Sequence, residues 1–324
     1  MKWIQFVLVF VIGLSSCSED FQLTEPYKDI PVVYGFLKNF DTAQYIRVER
    51  LFVNEDISAI ELAKNVDSIY YQNAVVKLNN LTTNKSYTLK KVNMIDEGYA
   101  RDSGNFATRP NYMYKILTSE LNLINNHIFK LTINRGDGKP EVSSTITLLD
   151  STSFSSPPKE DREITLLPNS FSSFAWREIK NAGIYNFELN VLITEKNKVT
   201  NTIENKVLNW KLGKDLINRS VGFKNEEFYI FLKENLEKDS KYERILKGVE
   251  LILLSAGKEL KTFNDIRNAN TGITASQEIP RYTNLSEGFG LFTNVYQLKK
   301  FYTLDLLTLE ALTTNEHTSQ LGFK

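Results

Sequence analysis

The one cysteine in this 324-residue chain stands at position 17, so the chain can form no internal disulfide and no multi-cysteine metal site. A fold built on it must be held by hydrophobic burial. With 42% hydrophobic and 24% charged residues, the composition is that of a globular protein and excludes a largely disordered one. Lys plus Arg total 39 and Asp plus Glu total 39. That balance argues against nucleic acid as a partner, because neutralising phosphates takes a basic excess or patch.

The surroundings of Cys17 suggest an address. Lys2 precedes an apolar stretch, Ile4 to Leu14, far short of the ~20 residues that span a bilayer but sufficient for a signal-peptide core. Leu14-Ser15-Ser16-Cys17 then matches the bacterial lipobox. Small residues let the peptidase reach the backbone, and the thiol is the nucleophile that takes the diacylglycerol. Residues 1–16 are expected to be a lipoprotein signal peptide, Cys17 to carry diacylglycerol and palmitate, and 17–26 to be a tether. Three acyl chains, at ~0.8 kcal/mol per buried CH₂, make such an anchor effectively permanent. Ser18-Glu19-Asp20 resembles the export signal of Bacteroidetes surface lipoproteins. The expected location is the outer membrane, lipid-anchored and facing the cell surface, with the periplasmic face as the alternative.

Beyond the tether the dominant pattern has period two. Pro31 to Leu37 and Ala43 to Val53 read as strands, followed by a short helix at Ile57 to Asn65. Ala74–Leu78, Ser86–Val92, Tyr112–Leu117, His127–Asn134 and Val142–Leu149 continue the strands. Arg135-Gly136-Asp137-Gly138-Lys139 forms the turn of a hairpin, since Asp-Gly supplies positive φ. The segment 151–163 concentrates Ser, Pro and charge and reads as a linker. After it come strands at Phe171–Glu178, Gly183–Thr194 and Ile203–Leu212, with Trp176 as a core anchor. Glu226 to Leu246 has helical spacing, Val249–Leu254 fits a buried strand, and Lys258–Ala269 and Leu304–Leu312 fit helices. The expected fold is mainly β. An N-terminal β-sandwich (Ig-like or transthyretin-like) over 27–150 is followed by a β-rich α+β domain over 164–324 with two or three helices.

No G-x-S-x-G elbow, P-loop, G-x-G-x-x-G or EF-hand loop occurs, so no cofactor is expected. Neither histidine sits in a catalytic motif: His127 opens an apolar strand and His317 lies in a polar tail, where solvation is expected. Two carboxylates suffice for a glycosidase, and Glu49, Asp96, Glu97 and Glu188 are arbitrary members of the acidic set. Tyr70, Tyr71, Tyr112 and Tyr114 could stack on sugar rings if exposed, or fill the core. Asp41-Thr42-Ala43, Asp67-Ser68-Ile69 and Asp150-Ser151-Thr152 resemble a Bacteroidetes O-glycosylation acceptor, which makes Thr42, Ser68 and Ser151 candidate sites.

Several stretches are familiar together: Pro31 to Leu37, Gln44 to Val48, Asp67 to Tyr71, Gly104 to Ala107, and Tyr282 to Phe292. They resemble an uncharacterised family of Bacteroidetes outer-membrane lipoproteins. The resemblance implies an outer-membrane lipoprotein whose gene lies beside that of a TonB-dependent receptor, and it transfers no site residues. A non-enzymatic binding or assembly component, accessory to a β-barrel receptor, is the leading expectation. A surface glycan-binding lipoprotein and a carboxylate-based hydrolase are the alternatives. The expected interaction surface includes Tyr282, Phe289 and Phe292, gathered around Gly288 and Gly290.

Overall fold

In the computed structural model, residues 29–52, 58–157, 163–269 and 282–324 are described. Cys17 and the segments expected to be a signal peptide (1–16) and a tether (17–26) lie outside them. The chain is mainly β. Strands β1 (Asp29–Lys38), β2 (Ala43–Phe52), β5 (Lys90–Asn93), β6 (Tyr112–Leu117), β11 (Ala182–Asn197), β12 (Ile203–Leu216), β14 (Tyr242–Gly257) and β15 (Phe289–Tyr302) make one eight-stranded sheet, in the order β12-β11-β14-β15-β1-β2-β6-β5. Two smaller sheets accompany it. One is β4 (Lys85–Thr88), β3 (Val75–Asn80), β7 (Ile128–Asn134) and β8 (Val142–Thr147); the other is β13 (Ser220–Lys224), β10 (Phe171–Trp176) and β9 (Phe154–Ser156).

Both smaller sheets cover the same face of the large one, and β15 shows why. Successive side chains on a strand point to opposite faces. Phe292 belongs to the core cluster with Val33, Val48, Leu78 and Leu131, whereas Leu298 and Tyr302 belong to the cluster with Phe187, Leu251 and Trp176. All three β15 residues are an even number of positions apart, so the two cores lie side by side under one continuous sheet. The first core draws on residues up to Leu148 and the second on residues from Leu149 onward, apart from Leu285 and Phe292, which belong to the first. β1 and β15 pair in parallel, from Val32 opposite Phe289 to Lys38 opposite Val295. Segment 151–163, expected as a linker, contributes β9, whose Phe154 is buried and paired with Trp176.

The second core is aromatic. Phe187 stacks on Phe174 at 5.4 Å and on Trp176 at 5.7 Å between ring centroids. Helix α4 (Glu226–Asn235) closes it with Phe228 and Leu232, which its 3.6-residue period sets on one face. The other helices described are α1 (Ala59–Lys64), α2 (Val66–Ile69), α3 (Thr118–Leu121), α5 (Lys258–Ala269) and α6 (Leu306–Thr314). Asp305 caps α6 by accepting from the Thr308 amide at 3.0 Å. On the opposite face of the large sheet, α5 rests through Phe263 against Tyr34 and through Glu259 against Thr293.

Two sequence expectations are corrected. The helical reading of Glu226–Leu246 holds only to Asn235, because Asp239 accepts the Lys241 amide at 2.8 Å in a local turn. From Tyr242 the chain alternates, with Arg244 and Leu246 buried and Ile245 exposed. Ser86–Val92 is not one strand either. Leu89 is buried with its amide on the Val76 carbonyl at 2.9 Å, and it passes the chain from β4 in one sheet to β5 in another. Among the described residues no helix is long and apolar enough to cross a membrane.

Candidate functional site

Three segments far apart in sequence converge at one end of β1. The β7–β8 turn, Arg135 to Pro140, comes over the start of β1, and the 286–289 segment meets it from the other side. Between them lies a cleft of about 370 Å³ lined by Asp29, Ile30, Pro31, Arg135, Lys139, Pro140, Ser286, Glu287, Gly288 and Phe289. That volume is within the ~300–1,000 Å³ of small-ligand sites. Local backbone chemistry makes the convergence. Gly136 and Gly138 have φ of +77° and +74°, conformations glycine adopts freely, and a Cβ on Gly136 would meet the Asn73 carbonyl oxygen at 2.9 Å. Gly288 lies closer still to Pro31, where a Cβ would stand 2.6 Å from the proline carbonyl oxygen. Pairing of β1 with β15 begins only at Val32, so Asp29, Ile30 and Pro31 border the cleft on that side.

The electrostatics centre on Asp29, whose side chain is 5% exposed. Tyr71 donates to Asp29 Oδ1 at 2.5 Å, Arg50 Nη2 donates to Oδ2 at 3.0 Å, and Lys139 Nζ stands 3.9 Å from Oδ2. The Arg50 guanidinium also lies over the Tyr71 ring, 5.1 Å from its centroid. Burial, followed by the hydrogen bond and charge of Asp29, pushes the Tyr71 hydroxyl above its ordinary pKa, so it remains a donor at neutral pH. Arg135 is also buried, with 4% of its side chain exposed. Its Nε makes no hydrogen bond among the described residues, and the Asp137 carboxylate lies 3.5 Å away. The cleft thus has a satisfied carboxylate at its base and cationic donors beside it.

The expected site residues are dispersed. Phe289 lines the cleft and Tyr282 is half-buried nearby in sequence. Phe292 is corrected from interaction surface to core: it is 0% exposed beneath β1, where a Cβ on Gly35 would touch its ring at 3.0 Å. Thr42 and Ser151 are exposed and Ser68 is half-buried in α2. Tyr70, Tyr71 and Tyr114 are buried, so they are core rather than sugar platforms, and half-buried Tyr112 packs edge-on against Tyr70. Glu49 is held by Arg47 and Arg101, and Glu97 by Lys115. His127 shares a hydrogen bond with Asn80 at 3.0 Å. His317, expected in solvent, is 19% exposed and pairs with Glu226 at 3.1 Å. Glu226, Glu316 and His317 bring ligand-type atoms within 4.8 Å of one another, an arrangement the ion pair and the Asn315–Glu226 hydrogen bond at 3.2 Å account for. Sequence reasoning missed Asp29, Arg50 and Arg135 as a group. The Arg-Gly-Asp-Gly-Lys turn was visible, but its place over β1 depends on tertiary structure.

No family model matches the chain, and no curated protein matches it. Among solved structures, the FN1–FN3 domains of chicken CNTN1 align over 85% of this chain and 67% of that one, at 9% identity and a TM-score of 0.17. A likeness at that level carries no argument about either fold or function.

Proposed function

We propose that this chain is a non-enzymatic binding component of the bacterial outer membrane, anchored by lipid on Cys17 and accessory to a β-barrel receptor of the TonB-dependent type. The cleft is its recognition site. The observation that carries the reading is where the cleft stands. Asp29, at its base, follows Cys17 by 12 residues. Such a segment reaches at most ~40 Å when fully extended. A lipid on Cys17 would therefore hold the mouth of the cleft close to the bilayer, within reach of the rim of a membrane barrel.

Affinity purification of the tagged, lipidated protein in mild detergent, with cross-linking and mass spectrometry, tests this. The expected result is an outer-membrane β-barrel protein enriched over a control lipoprotein, and loss of that enrichment for Cys17→Ser. Recovery of no barrel, together with saturable oligosaccharide binding, would replace this reading with a glycan-binding one.

A further inference from the structure

We propose that Glu226, Glu316 and His317 form a site for one divalent metal ion of the zinc class, apart from the cleft and independent of how the cleft is read. Three ligand-type atoms from two elements converge there. Glu226 opens α4, and Glu316 and His317 follow α6. His317 Nε2 stands 3.1 Å from Glu226 Oε1 and 3.6 Å from Glu316 Oε1, and the three ligand atoms all lie within 4.8 Å of one another. A tetrahedral zinc ion, bonded at ~2.0–2.1 Å to nitrogen and carboxylate oxygen, sets its ligands ~3.3 Å apart. Small side-chain rotations therefore suffice to bring all three atoms onto one ion, with the fourth position left to water.

Charge and local structure favour a metal there. Two carboxylates share one imidazole, and among the described residues neither has a Lys or Arg partner. Even a protonated His317 leaves one negative charge unbalanced, which a divalent cation neutralises. The backbone already sets His317 in place. Asn315 Oδ1 accepts the His317 amide at 2.8 Å, and the next residue, Thr318, is fully buried and donates to the Leu312 carbonyl at 2.7 Å. Asn315 Nδ2 donates to Glu226 Oε1 at 3.2 Å, the kind of outer hydrogen bond that orients a metal-bound carboxylate. The imidazole nitrogen selects zinc-like ions over calcium and magnesium, which take oxygen ligands. On binding, the metal replaces the proton between Nε2 and Glu226, and that proton leaves to solvent. The ion then ties the turn after α6 to α4, the helix that closes the second core.

The test is isothermal titration calorimetry on the tag-free full chain in mild detergent, stripped with a chelator and then titrated with zinc chloride. One zinc ion per chain should bind in the micromolar range, and calcium and magnesium chloride should give no binding heat at the same concentrations. The chain has two histidines, which makes the assignment sharp. His317→Ala should abolish binding and His127→Ala leave it unchanged. Glu316→Gln should weaken binding ~10-fold or more. Should His317→Ala fail to fold, Glu316→Gln decides, since that side chain is 83% exposed and its replacement leaves the packing intact. Zinc should also raise the unfolding midpoint of the wild type and not that of His317→Ala. No zinc binding in the micromolar range, binding that survives His317→Ala or is unmoved by Glu316→Gln, or calcium or magnesium held as tightly as zinc would each overturn the proposal.

Discussion

Gly290 in β15 lies opposite Val33 in β1, with φ of +120° and so close that a Cβ at 290 would collide with the Val33 carbonyl oxygen. This contact joins the C-terminal part of the chain to its first strand and sets the 286–289 segment beside Asp29. Gly290→Ala should therefore cost several kcal/mol, on the order of 3, from both the backbone conformation and the clash. Urea denaturation with tryptophan fluorescence measures it. A loss under ~1 kcal/mol would mean that the β1–β15 contact is looser than described.

The second core is tied by an ion pair that leaves water almost completely. Arg244 is 0% exposed and its Nε donates to Glu195 Oε2 at 2.7 Å, while Lys206 reaches Oε1 at 2.5 Å and Arg244 also donates to the Leu321 carbonyl. Removing one partner of such a pair leaves an uncompensated charge, so Arg244→Ala should destabilise by roughly 3–5 kcal/mol, and Arg244→Met with Glu195→Leu by less than the two single changes summed. Burial pushes the Glu195 carboxyl up, but hydrogen bonds from Lys206 and Arg244 outweigh it and leave its pKa below the ordinary value. The sign follows from linkage. The contribution is complete above the ordinary carboxylate range and disappears as pH falls through the depressed folded value. Denaturation curves for wild type and Glu195→Gln should converge in acid, and a constant gap between them at all pH values would contradict this.

At high pH the tyrosines give the opposite sign. Burial raises the hydroxyls of Tyr70, Tyr71, Tyr114, Tyr185 and Tyr229 above the ordinary value near 10.0, with Asp29 adding to the effect on Tyr71 and Glu226 on Tyr229. In the unfolded chain they ionise near the ordinary value, so stability should fall as pH rises above it. Tyrosinate absorbance should then rise together with the loss of far-ultraviolet β signal. Ionisation of these five residues with the circular dichroism unchanged would show that they are reached by solvent in the folded state.

Cutting the chain at 158–162 should not separate its two cores. A protease site inserted at 158–162 divides the sequence, but the parallel β1–β15 ladder, seven residue pairs long, spans the two fragments. The cut halves should elute together from a sizing column in buffer and part only in denaturant. Independent elution in buffer would make them separable domains.

Much of the fold is legible in the residues themselves. Ala43 to Phe52 alternates because one side is core, Lys258–Ala269 has the helical period, and Asp-Gly marks the β7–β8 turn, so local pattern suffices for each. What local pattern cannot encode is partnership. Nothing in Phe289 to Tyr302 says that its first half pairs with a strand more than 250 residues earlier, or that Phe292 and Leu298 enter different cores. The candidate site was half legible for the same reason. The glycines around 288 and the 135–139 turn stand out singly, while the Asp29–Tyr71–Arg50 cluster exists only once β1, β2 and the segment before β3 are brought together.

Site-specific photocross-linking in living cells tests most directly the proposal that a partner is met through the cleft. A photoreactive residue replaces Pro140, on the cleft wall, and, in a second strain, Val199, which is 77% exposed in the turn before β12, four strands from β1 in the sheet order. Irradiation should give a discrete adduct with an outer-membrane β-barrel protein from position 140 and none from 199. An adduct from 199 alone, or none at 140 above the unirradiated control, would contradict it.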